Sequence, residues 1–110
     1  MQGISVNDAD LAASFQKAVT DVLTEKAMVF VRENGYKKLA IAGGVASNSA
    51  LRASLIAACE KEGVQFYAPE PILCTDNAAM IGCAGYYEFM KGTRSDFSLN
   101  AVPNLKLGER

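Results

Sequence analysis

Two short stretches hold the residues most able to do chemistry: Gly43-Gly44-Val45-Ala46-Ser47-Asn48 and Cys74-Thr75-Asp76-Asn77-Ala78-Ala79-Met80-Ile81. The glycine pair follows the apolar run Leu39-Ala40-Ile41-Ala42. Without side chains there, a ligand can approach the backbone and the first amides of a following helix. Asp76 puts a carboxylate at the same kind of junction, between an extended run and a helix-like one. Consecutive strand–helix units set such junctions side by side at the carboxyl edge of a parallel sheet, where α/β proteins bind ligands. One site built from both stretches is expected. The plain structural alternatives remain open at this level: a tight turn with Asn48 as a helix cap, and Asp76 as a cap of the next helix.

Composition removes several other chemistries. The chain has no histidine, which excludes Ser-His-Asp and Cys-His devices and leaves a metal only carboxylates and poorly spaced thiolates. Cys59, Cys74 and Cys83 show no C-x-x-C spacing and fall in apolar runs, so buried, reduced thiols are expected. A dinucleotide site is disfavoured: Glu70 could imitate a ribose-binding acid, but the glycine stretch lacks G-x-G-x-x-G. Proteolysis is weaker still, with no activated nucleophile and no closed metal site. A net charge of −1 and a pI near 5.4 give no sign of a nucleic-acid surface, so RNA would be held mostly by another segment. No signal-peptide pattern opens the chain, and the nearly uncharged run from Ile72 to Tyr87 is interrupted by Asp76 and falls short of the ~20 residues of a span. A soluble, cytoplasmic protein is expected.

The elements that position these stretches follow from periodicity. Met1–Val6 reads as a loose lead-in, Asn7 or Asp8 as an N-cap, and the helix after it as running to about Glu33, with Asn34-Gly35 as its stop. Leu11, Phe15, Val19, Val22, Leu23, Phe30 and Val31 recur at helical steps, a stripe expected to be core. Lys38–Ala42 reads as a strand buried on both faces. A second helix is expected from Asn48 or Ser49 to Gly63, and a second strand at Val64–Ala68. Pro69 and Pro71 stop that strand and predict an extended passage through Leu73. Thr75, Asp76 or Asn77 can cap a third helix to about Met90, ended by Gly92. Its small residues, Gly82 and Gly85 among them, predict close contact with another backbone. Residues 93–110 read as a surface tail. The layout is α/β: helix, strand, helix, strand, helix, with the two strands parallel through a right-handed crossover. At 110 residues the chain reads as a single, partial domain.

The run Leu39 to Arg52, with Cys74-Thr75-Asp76-Asn77-Ala78-Ala79-Met80-Ile81 at the right distance and Asp10-Leu11-Ala12-Ala13-Ser14-Phe15-Gln16 on the first helix, resembles one family over nearly the whole chain. It is similar to the C-terminal lobe of the tRNA threonylcarbamoyladenosine-forming transferases, formerly filed as O-sialoglycoprotein endopeptidases or glycoproteases. The resemblance implies the ribonuclease H-like, two-lobed fold of actin, sugar kinases and heat-shock ATPases, with a nucleotide between the lobes. It implies transfer of a threonylcarbamoyl group from its adenylate to a tRNA adenosine beside the anticodon. Gly43, Gly44 and Asn48 match positions that hold ATP or the adenylate. Asp76 matches the carboxylate ligand of an iron or zinc ion whose other ligands are two histidines from a preceding segment. Those histidines, the first lobe and the three-stranded meander that opens the second are expected to lie outside this chain. The resemblance also implies a paralogous protein and an ATPase as partners.

As a piece of such an enzyme, the chain alone is expected to be inactive and to bind no cofactor tightly. A nucleotide-binding or protein-interaction module is the alternative. The edge of Lys38–Ala42 that the meander would cover invites pairing with another chain, so a homodimer is expected, through strand pairing or, less favourably, exchange of the first helix.

Overall fold

The computed structural model describes residues 7–106 and 108, so the lead-in Met1–Val6 and the end of the tail lie outside the described residues. The chain divides into two compact units, one ending at Asp76 and one beginning at Asn77.

In the first unit, helix α1 spans Asp8–Asn34. The Asn7 side chain caps it by accepting from the Ala9 amide at 2.9 Å, while Asp8 and Asp10 complement the positive end of the dipole. Gly35 closes it in the left-handed region, with its own amide donating to Arg32 and the Tyr36 amide to Val31, a Schellman closure. Strand β1 is Lys38–Ala40, helix α2 is Ser49–Glu62, and strand β2 is Gln65–Tyr67. Gly63 ends α2 as Gly35 ends α1, the Val64 amide donating to the Cys59 carbonyl at 2.9 Å. Both closures turn the chain straight into a strand. The strands pair in parallel with Leu39 opposite Phe66, and Ile41 prolongs the ladder by donating to the Tyr67 carbonyl at 3.0 Å.

Met28 and Val31 of α1 meet Cys59 of α2 and Val64, with Leu39 and Phe66 packed against them from the sheet. Burial, and secondarily the charge of Glu62, raises the Cys59 thiol pKa, which favours a neutral thiol in this core. The Arg32 guanidinium pairs with Glu62 at 2.6 Å, and the Thr24 and Ser54 hydroxyls meet at 2.8 Å, so polar contacts flank the apolar seam between the helices.

Three expectations are corrected here. The strands are shorter than the apolar runs and are half-covered: Leu39 and Phe66 face the helices, while Lys38, Ala40, Gln65 and Tyr67 are exposed. Both helices of this unit contribute to the core on the Leu39 and Phe66 face, and apolar character alone cannot tell one covered face from two. The α1 stripe is also largely open, with Phe15 71 % and Val22 55 % exposed. A helix of 27 residues is about 40 Å long and one of 14 about 21 Å, so α2 can cover only part of α1. Glu70 leads into a 3-10 turn at Pro71–Leu73 rather than an extended passage, because the fixed φ of Pro71 suits the first position of a helical turn.

In the second unit, helix α3 spans Ala78–Met90, and residues 93–106 contain no helix or strand. The Asn77 side chain caps α3 by accepting from the Met80 amide at 3.1 Å. Gly92 closes it, and Arg94 lies over the Phe89 ring at 3.9 Å. Cys83 is exposed, unlike the buried Cys59 and Cys74, which corrects the expectation of three buried thiols. Within this unit no backbone comes close to Gly82 or Gly85: a Cβ built on either meets no atom within 4 Å. Among the described residues no helix is long and apolar enough to cross a membrane.

Candidate functional site

The turn after β1 is built in two steps. Gly43 has φ 87° and ψ 171°, a conformation essentially restricted to glycine. A Cβ there would meet nothing within 4 Å, so the glycine is required by backbone conformation and not by crowding. Any other residue would cost about 1–3 kcal/mol. Residues Gly44–Ser47 then form a single 3-10 turn, and α2 starts at Ser49, as the sequence reading expects; the 3-10 form of the turn is what that reading does not specify. The Ala46 amide donates to Gly43 and the Asn48 amide to Val45, both at 3.0 Å.

Asn48 is the cap of α2. Its Oδ1 accepts from the Leu51 amide at 3.0 Å and its Nδ2 donates to Gln16 Oε1 at 3.3 Å. The capping alternative left open for this residue is therefore realised, and the amide nitrogen is held by a partner on α1 that sequence reasoning assigned no role. Gln16 sits in the stretch of the first helix that carries the family resemblance, which is the signal that could have singled it out. Beside this pair lies an apolar cavity of about 310 Å³ walled by Phe15, Val19, Val45 and Leu51, with Gln16, Thr20 and Asn48 as its polar lining. Such a pocket, with a few convergent polar groups, is the ordinary form of a small-ligand site.

The Cys74-Thr75 start of the second stretch lies against the first. A Cβ on Gly44 would stand 4.0 Å from the Thr75 methyl group. Arg52, on the first turn of α2, reaches across: its Nε donates to the Ala46 carbonyl, and its Nη2 donates to the Pro69 carbonyl at 2.6 Å and the Cys74 sulfur at 3.1 Å. Sequence reasoning gave this arginine no role either, because its partners are two backbone carbonyls and a thiol 22 positions away, which no motif displays. Asp76 is exposed, and among the described residues its side chain joins no hydrogen bond or ion pair; the cap of α3 is Asn77. Asp76 does not line the cavity beside Asn48. Among the described residues no three of the Asp, Glu and Cys side chains gather as a metal-binding group. The residues present do not by themselves fit a metal, and Asp76 offers at most one ligand.

The model of the family described as tRNA N6-adenosine threonylcarbamoyltransferase matches residues 2–83, which take in both stretches. A protein of that name from Clostridium perfringens is 57 % identical over 110 residues, and one from Clostridium botulinum is 54 % identical over the same length. In each case all of this chain aligns, and it spans 32 % of the relative's length. The chain belongs to the tRNA N6-adenosine threonylcarbamoyltransferase family.

Proposed function

We propose that this chain is the part of a transferase that supplies the adenylate-holding turn and one metal-ligand carboxylate for threonylcarbamoyl transfer to a tRNA adenosine. The observation that carries this reading is the family match over residues 2–83, which covers Gly43, Gly44, Asn48 and Asp76 together. Membership supports a place for the first unit in a ribonuclease H-like, actin-like lobe whose remaining strands lie in other parts of the protein. In the proposed site the open backbone at Gly43 and Gly44 admits the phosphate and ribose of ATP or the adenylate. The Asn48 carboxamide, fixed by the Leu51 amide and Gln16, turns toward the same ligand. The exposed, uncommitted carboxylate of Asp76 is the single ligand offered to iron or zinc. The tRNA, the paralogous partner and the ATPase are assigned to other surfaces of the whole protein, at work in the cytoplasm. The second cleft wall is assigned to other parts of the protein, and the 110 residues by themselves are proposed to be inactive.

Asn48→Ala in the full-length protein tests the site. It should weaken adenylate binding about 10-fold or more, the loss of a hydrogen bond at a bound ligand. It should also cost about 1 kcal/mol of stability, because the α2 cap goes with it. Titration calorimetry and thermal melting separate the two. Unchanged adenylate affinity alongside a lowered melting point would reduce Asn48 to a cap.

Exposed apolar side chains on both units favour a second reading for the isolated chain, an interaction module. We propose that two chains pair through β1, whose outer edge has no strand partner among the described residues. Light scattering at micromolar concentration should give the mass of two chains, and Ile41→Lys, next to that edge, should give one. A wild-type mass of one chain would sink the dimer.

A further inference from the structure

We infer that Arg52 is a positioning residue that fixes the spacing between the Gly43–Asn48 turn and the segment leading to Asp76. This rests on the proposed reading of those stretches as one site. The half-buried guanidinium is met by two carbonyls and a thiol and, among the described residues, by no carboxylate. Its charge is therefore used for geometry and not for an ion pair. The two carbonyls belong to different segments: Ala46, 3 % exposed, lies inside the glycine turn, and Pro69 precedes the 3-10 turn that ends at Cys74. Cys74, 2 % exposed, also packs its sulfur 3.5 Å from the Glu70 carbonyl, so the arginine holds the second segment at both ends. Only a planar fork can serve these three acceptors at once; a lysine ammonium on the same helix turn is a single point that cannot span them. Asn48 and Asp76 flank this clamp along the chain, so its loss lets the two groups drift apart without removing either.

The test compares Arg52→Lys and Arg52→Ala with the wild-type full-length protein. Transfer kinetics with the adenylate at saturating tRNA should show kcat lowered on the order of 10- to 100-fold, since misplacement by about 1 Å has that effect. KM should change less, and methylguanidine should restore part of kcat to Arg52→Ala. A second readout does not depend on activity: labelling of Cys74 by a thiol reagent, followed by peptide mass spectrometry, should accelerate about tenfold in Arg52→Lys while the core thiol Cys59 stays protected. Wild-type kcat together with a wild-type Cys74 labelling rate in both variants would overturn the inference. So would equal acceleration at Cys59 and Cys74, which makes Arg52 a brace for the whole unit. Should the wild-type protein transfer nothing while Cys74 labelling still answers to Arg52, the clamp stands and the proposed reaction fails.

Discussion

On the proposed reading, Asp76→Ala in the full-length protein is expected to lower the transfer rate by more than about 100-fold and to lower the content of the proposed iron or zinc, with a change in stability inside about 0.5 kcal/mol. Groups that merely orient a ligand typically carry 10- to 100-fold of affinity or activity, so a ligand itself should carry at least as much. The stability half of this expectation comes from the fold. Asp76 is exposed and bonds to nothing among the described residues, and Asn77 accepts from the first turn of α3. Asn77→Ala should show the reverse pattern: a loss of about 1 kcal/mol as the cap disappears, with metal content kept. Elemental analysis, transfer assays and melting curves on the two variants check both. An Asp76→Ala protein that keeps its metal and melts early would make the carboxylate structural.

Met28→Ala is expected to be the most damaging single truncation in the first unit, by about 2–5 kcal/mol. Met28 is 3 % exposed, and its sulfur lies 3.9 Å from the Cys59 sulfur, at the centre of a core with few members. Whole domains have only about 5–15 kcal/mol to lose, so a unit this small should be largely unfolded by the change. Phe15→Ala is the comparison, because Phe15 has the larger side chain but is mostly exposed. Urea unfolding of the 110-residue chain should rank Met28→Ala far below Phe15→Ala. Equal losses would mean that the core is drawn wrongly.

Much of the scaffold was legible because its signals are local. Asn7 and Asn48 read as caps, Gly35 and Gly63 read as stops, and each does in the fold what a short side chain or a missing one allows. The parallel pairing of the strands followed from the crossover through α2. What sequence could not give depends on cover and on distance. The exposure of Phe15 and Val22 is set by the length of α2, and the open face of the sheet by elements that this unit does not provide. The same limit applies at the site. The two stretches were readable, but the 3-10 turn between Gly43 and α2, the hold of Gln16 on Asn48, and the three bonds of Arg52 join residues through backbone carbonyls or through side chains 22 to 32 positions apart. Asp76 was one of three candidate caps by spacing. Only the fold gives the cap to Asn77 and leaves the carboxylate unengaged.

On the proposed reading, Gly43–Asn48 and Asp76 serve one adenylate-dependent transfer to tRNA. Its most direct measurement is transfer of a labelled threonylcarbamoyl group from its adenylate to unmodified tRNA by the full-length protein with its partners, wild type beside Asn48→Ala and Asp76→Ala. Label is expected in a tRNA adenosine with the wild type, at reduced yield under limiting adenylate with Asn48→Ala, and almost none with Asp76→Ala. Full labelling by both variants, or none by the wild type under conditions where a clostridial relative is active, would contradict it.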